Sequence, residues 1–153
     1  MTDEKQAPES APRAEFAKAA EAIWVRAQKA TWSSLVVVPA GTGLPAAELA
    51  QALAAVGTLQ RGKPVESLDL RGLALGRSRP MVEALSDSSR PFRRVAAVDC
   101  PLDSQTAILL ASSAEAAVLV VERETTGVEA ARRVLELVGP ARFLGAVVLA
   151  PAG

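Results

Sequence analysis

Apolar residues recur along this chain in two alternating rhythms. Short runs rich in valine, leucine and alanine predict strands over 35–38, 65–70, 95–98, 117–121 and 144–149. Between them, apolar positions three and four residues apart predict helices over 46–56, 80–85, 104–112 and 128–138. Leu49, Leu53 and Val56 share one face of the first of these, and Val128, Ala131, Leu135 and Val138 share one face of the last. A further helix is predicted ahead of the first strand, over 14–30, where Phe16, Ala20, Ile23 and Ala27 repeat at helical spacing with Trp24 on the border of the stripe. Residues 1–13 hold two prolines, several charges and no apolar period, and predict a disordered tail.

Strict alternation of strand and helix implies right-handed crossovers and a parallel sheet covered on both faces. The predicted architecture is a doubly wound α/β domain over 14–153, with a mainly parallel five-stranded sheet preceded by an N-terminal helix. Uninterrupted runs such as Val118-Leu119-Val120-Val121 suit strands buried on both sides. Half of the 153 residues are hydrophobic, but the excess is alanine, valine and leucine, with three phenylalanines, two tryptophans and no tyrosine. Small residues in that number suit close packing of helix on sheet.

Charge and chemistry narrow the function. Lysine plus arginine equals aspartate plus glutamate at seventeen each, so no overall field draws the protein to nucleic acid or to an anionic membrane. Histidine is absent, which removes the commonest general base and metal ligand, and the single Cys100 excludes an internal disulfide. Zinc sites and Ser-His or Cys-His catalysis are therefore excluded. With no run of about 18 apolar residues and no secretory leader, the expectation is a cytoplasmic protein without an integral membrane segment.

The first strand is followed by Pro39-Ala40-Gly41-Thr42-Gly43-Leu44-Pro45, a glycine turn opening a helix. Asp69-Leu70-Arg71 stands at the end of the second strand, and Val95-Ala96-Ala97-Val98-Asp99-Cys100-Pro101 at the end of the third. In this order the segments resemble the cytoplasmic ATPase domain of bacterial tyrosine kinases that accompany polysaccharide export, within the MinD/ParA-like group of P-loop proteins. The resemblance runs from about Ala14 onward. It equates the Gly41-Thr42-Gly43 turn with the family's phosphate loop, Asp69 with its second acidic motif and Asp99 with its Walker B aspartate. The closing strand, helix and strand, Ala117 to Thr126 and Leu144 to Leu149, match as structure.

The departures fall on the chemistry. Leu44 holds the place of the loop lysine that reaches the β- and γ-phosphates, and Pro45 that of the hydroxyl that ligates magnesium. Ser67 holds the place of the first aspartate in the family's Asp-x-Asp motif. Each lost charge-assisted bond is worth about 1.5–3 kcal/mol, so several kcal/mol of nucleotide binding are missing. The family's tyrosine cluster has no counterpart, and Glu21, Trp24 and Ala27 stand where its first helix carries Glu-x-x-Arg-x-x-Arg.

The resemblance therefore implies a non-catalytic regulatory or scaffolding protein on a degenerate nucleotide-binding fold, in polysaccharide export or cell-surface assembly. No catalytic residue, metal or cofactor is expected. Weak anion or nucleotide binding at the Gly41 to Pro45 turn is the remaining capacity, because backbone amides at a helix start need no particular side chain. Asp69 and Asp99 read as relic acids, Asp99 capping the loop after it, and Cys100 as a small buried apolar residue. Trp24, Arg71, Arg77 and Arg79 are the candidate interface to a protein partner or a second copy, with Trp32 an internal anchor. Arg90, Arg93 and Arg94 complete a basic stretch that reads as a solvated face without specific nucleic-acid recognition.

Two alternatives stay open. One is an unconventional ATPase or kinase-like enzyme in which Arg71, Arg77 or Arg79 supplies the missing charge. The other is a MinD/ParA-like positioning protein, ranked last because the pattern up to Gly153 holds no amphipathic membrane helix.

Overall fold

Each strand of the sheet sends alternate side chains to opposite faces, and over 34–39 and 116–120 both faces are buried. The computed structural model of the chain describes residues 14–89 and 93–151. The expected tail over 1–13, Arg90 and Phe92 lie outside these residues.

The elements run α1 (Ala14–Ala27), β1 (Ser34–Pro39), α2 (Ala46–Arg61), β2 (Val65–Asp69), α3 (Arg79–Ser86), β3 (Arg93–Ala97), α4 (Gln105–Ser113), β4 (Ala116–Glu122), α5 (Val128–Val138) and β5 (Phe143–Leu149). The strands form one sheet in the order β2-β3-β1-β4-β5, every pairing parallel. β1 is central, with Leu35 in register with Val95 on one side and Ala116 on the other. All six of its residues are buried.

Leu35, Val37, Val95, Val118, Val120 and Val147 face one layer, where α1 and α2 supply Phe16, Ile23, Trp24, Leu49 and Leu53. Val36, Val38, Ala96, Val98 and Leu119 face the other, where α3, α4 and α5 supply Leu85, Leu110, Val134 and Val138. The alanine excess sits at these contacts. Ala46, Ala47, Ala50, Ala52 and Ala54 of α2 are buried, letting that helix settle close on the sheet and on α1.

Local chemistry sets the ends. α2 stops at Gly62, whose φ of 69° is the left-handed conformation that glycine adopts without steric cost, and its N–H donates to Thr58 O at 3.0 Å. The Thr58 hydroxyl donates to Ala54 O and accepts from Val65 N, each at 2.9 Å, tying the helix end to the start of β2. Ser104 caps α4 by accepting from Ala107 N at 3.1 Å. α1 is shorter than its apolar spacing predicts: it ends at Ala27, whose carbonyl accepts from the Trp32 indole N–H at 2.9 Å, and residues 28–30 turn toward β1.

Candidate functional site

The crossover after β1 runs through α2 on one face of the sheet, whereas the crossover after β3 runs through α4 on the other. At the carboxyl ends of these neighbouring strands the chain departs in opposite directions, and a crevice must open between them. A cleft of about 450 Å³ lies there, lined by residues of the turn Gly41 to Pro45 and by Glu48, Arg71, Asp99, Cys100, Asp103 and Ser104.

The turn leaves the end of β1 with Ala40 N donating to Val120 O at 2.9 Å. Gly43 has φ 82°, so glycine is needed at that position for the chain to reverse into α2. Leu44 is half-buried and packs on the α1/α2 core, and Pro45 leads into the first turn of α2 without a side-chain cap. The Thr42 hydroxyl donates to Asp103 Oδ2 at 3.0 Å, bridging the turn after β1 to the loop after β3.

The acids of the second and third strands take fixed positions. Asp69 grips Arg71 in a two-pronged pair, Nε to Oδ1 and Nη2 to Oδ2, both at 2.8 Å, and also accepts from Arg71 N at 3.2 Å. The Arg71 side chain holds the Asp69 carboxyl below its ordinary pKa by this hydrogen bond, against a smaller opposing effect of burial. In return Asp69, and then the Asp99 and Glu48 carboxylates, raise the affinity of the Arg71 guanidinium for its proton. Asp99 Oδ2 accepts from Gly72 N at 2.7 Å. That corrects the expectation that Asp99 caps the loop after it: the carboxylate instead pins the loop after β2 to the end of β3.

The charge balance of the cleft follows directly. Glu48, Asp99 and Asp103 contribute three carboxylates, against which Arg71 is the one cation among the lining residues, and Asp69 already holds it. No group of three acidic, histidine or cysteine side chains among the described residues is arranged to hold a metal ion. Cys100 is 6% exposed, and burial pushes its thiol pKa up.

Of the residues singled out from the sequence, the structure brings together Gly41, Thr42, Gly43, Leu44, Pro45, Arg71 and Asp99, with Asp69 joined through Arg71. It does not bring Arg77 or Arg79 there. Arg77 ends the short 3₁₀ turn Leu75–Arg77, and Arg79 opens α3 with its Nε 3.3 Å from Glu83 Oε2. Nor does it place Trp24 at a surface. Trp24 is 2% exposed, stands edge-to-face with Trp32 at 6.0 Å and abuts Gly57 of α2, so the interface expectation for Trp24 is corrected to an internal anchor.

The basic stretch is likewise dispersed: the Arg93 guanidinium lies 4.4 Å from the centre of the Trp32 ring, and Arg94 pairs with Glu66 at 3.0 Å.

Glu48 and Asp103 were not legible as site residues. Glu48 lies four residues past Leu44, one helical turn into α2, and Asp103 four past Asp99 beyond Pro101. Only the parallel order that sets β1 beside β3 makes them neighbours.

No protein-family model matches the sequence, and neither does any curated protein. Among solved structures, the chain is similar to the kinase domain of VpsO, with a TM-score of 0.69 and 14% identity over 98% of each chain. It is also similar to the chimerical protein CapA2B2, with a TM-score of 0.60 and 15% identity over 85% of this chain and 80% of that one. No helix among the described residues is long and apolar enough to cross a membrane. At these identities the likeness is one of fold, and the fold is the P-loop NTPase-like α/β arrangement that a kinase domain also uses.

Proposed function

We propose that the domain is a non-catalytic regulatory or scaffolding module on this nucleotide-enzyme fold, its phosphate loop degenerate, serving a polysaccharide-export or cell-surface assembly. The observation that carries the reading is the charge of the cleft. A phosphate entering beside Gly41 to Gly43 meets the carboxylates of Glu48, Asp99 and Asp103, and the neighbouring cation Arg71 is held by Asp69. Two like charges about 5 Å apart repel by about 3 kcal/mol at an effective dielectric constant of about 20. A working loop offsets such acids with its lysine and with a magnesium ion on its hydroxyl, and Leu44 and Pro45 supply neither. The fold then acts by shape, presenting helices and strand-end loops to a protein partner.

Calorimetric titration with ATP and magnesium tests this directly. No binding in the micromolar range is expected. Micromolar affinity, or hydrolysis that Asp99→Ala abolishes, overturns the reading.

One observation favours a second reading, a nucleotide-binding enzyme with a displaced cation: Arg71 lines the same cleft as the Gly41 to Gly43 turn. In that case the guanidinium must leave Asp69 for a phosphate. Arg71→Ala would then abolish whatever nucleotide binding the titration finds, whereas the non-catalytic reading expects no binding to lose.

A further inference from the structure

The two edges of the sheet are built differently. β2, at one edge, carries Glu66 and Asp69 among its five residues, and charges of this kind keep an edge from pairing with another chain. β5, at the other edge, runs seven residues as Phe143-Leu144-Gly145-Ala146-Val147-Val148-Leu149, with no charge and no proline. Ala146 is exposed, and Val148 is 62% exposed.

Beside this edge runs α1, and between the two lies a groove of about 330 Å³ lined by Ala19, Ala22, Ile23 and Arg26 on the helix and by Ala146, Val147 and Val148 on the strand. Arg26 reaches back over β5, so that a Cβ at Gly145 would stand 3.0 Å from its Nη1.

Along α1 the residues Glu15, Ala19, Ala22 and Arg26 follow one another at intervals of four, three and four, which places them on one face of the helix. An acid stands at the start of that seam, small residues in its middle and a base at its end.

We propose that this edge is a homodimer interface, in which β5 pairs antiparallel with β5 of a second copy about a two-fold axis normal to the sheet. That operation keeps the helical layers on their own sides and lays α1 antiparallel against α1 of the second copy. Glu15 of each copy then meets Arg26 of the other, and Ala19 meets Ala22, so the two-fold repeats each contact. The same patch serves both subunits, as an isologous contact requires.

The occupant follows from the charge order. An antiparallel copy of the seam is its electrostatic complement, whereas a parallel one sets like charge against like. Alanine at the crossing lets the helix axes approach toward the lower end of the usual spacing of about 8–10 Å. Seven residues of strand and fourteen of helix give two contact lines each roughly 20 Å long. The interface does not depend on the state of the cleft, so nucleotide titration and the test below fail independently.

Sedimentation equilibrium of the full chain, at concentrations up to about 1 mM where weak association is still measured, should return twice the monomer mass of 15.9 kDa. Val148→Lys, at an exposed position that leaves the core intact, should weaken dimerisation at least about tenfold. Arg26→Glu should weaken it as well, by setting acid against Glu15 of the second copy. Adding Glu15→Arg to that variant should restore it, a rescue that a merely structural role of either residue would not produce. Far-UV circular dichroism checks that each variant is folded. A monomer at every concentration overturns the proposal. A dimer that survives both Val148→Lys and Arg26→Glu overturns it too.

Discussion

Gly57→Ala pits helix propensity against packing, and the structure decides which wins. Gly57 lies inside α2 and is buried. Alanine is about 1 kcal/mol better than glycine in a helix interior, so propensity alone predicts a more stable protein. The new methyl, however, would stand 2.7 Å from both Cη2 and Cζ3 of Trp24 and 3.0 Å from Val65 Cγ2. Carbon atoms in contact rest about 3.5–4.0 Å apart, so the shortfall is close to 1 Å at the Trp24 ring.

Trp24 is held between α2 and Trp32 and has no open side toward which to move. Overpacking of this kind costs about 1–3 kcal/mol. With three contacts compressed at once we take the upper half of that range. Set against the propensity gain, the expected net loss is about 1–2 kcal/mol, or a Tm lower by about 2–8 °C for a domain of this size. Urea denaturation followed by far-UV circular dichroism measures it.

Trp24→Phe removes the outer ring atoms that the methyl strikes. In that background Gly57→Ala should be neutral or stabilising, a coupling of about 1–3 kcal/mol in a double-mutant cycle. If Gly57→Ala stabilises the wild-type protein by the full propensity term, the Trp24 ring does not pack against Gly57.

Three further outcomes follow from the same structure. Ser34 is buried, its hydroxyl donating to Leu85 O at 2.6 Å and accepting from Glu115 N at 3.1 Å, so Ser34→Ala should cost about 1–3 kcal/mol in chemical denaturation by leaving both groups unpaired. The folded-state pKa of Asp69 lies below its ordinary 3.8, so the stability from its pair with Arg71 is complete above that value and is lost as pH falls through the lower folded value. Asp69→Asn should flatten this part of the acid limb of the stability profile, by no more than about 0.2–1 kcal/mol because the pair is half exposed. Burial raises the Cys100 thiol above 9.0, so its contribution to stability is present below that value and fades as pH rises through the folded pKa. Iodoacetamide should accordingly label Cys100 much more slowly in the native protein than in urea at pH 8, and equal rates would contradict its burial.

The sheet was legible because its physics is local. Leu35 to Val38 and Val118 to Val120 announce strands buried on both faces, since a parallel sheet between two helical layers hides such runs. Helix ends were less legible. α1 stops at Ala27 through a hydrogen bond from Trp32, five residues on, while α2 runs past Val56 to Arg61 because Gly57 accommodates Trp24 and Gly62, not Gly57, supplies the left-handed stop. Trp24 was misread for the same reason. A tryptophan at the border of an amphipathic stripe suits an interface or a core equally well, and what buries this one is a glycine thirty-three positions away.

The cleft shows where local reading stops. The glycine turn and the strand-end aspartate are recognisable because each follows its own apolar run, and the parallel order then sets them at one crevice. Glu48 and Asp103 have no such marker. One is an ordinary acid in the first turn of a helix, where the dipole favours it, and the other an ordinary loop residue. Their effect comes only from sharing space with Asp99. The balance of charged side chains in the cleft is therefore a property of the strand order β3-β1 rather than of any segment, and the proposal that the turn takes no nucleotide rests on that balance together with Asp69 holding Arg71.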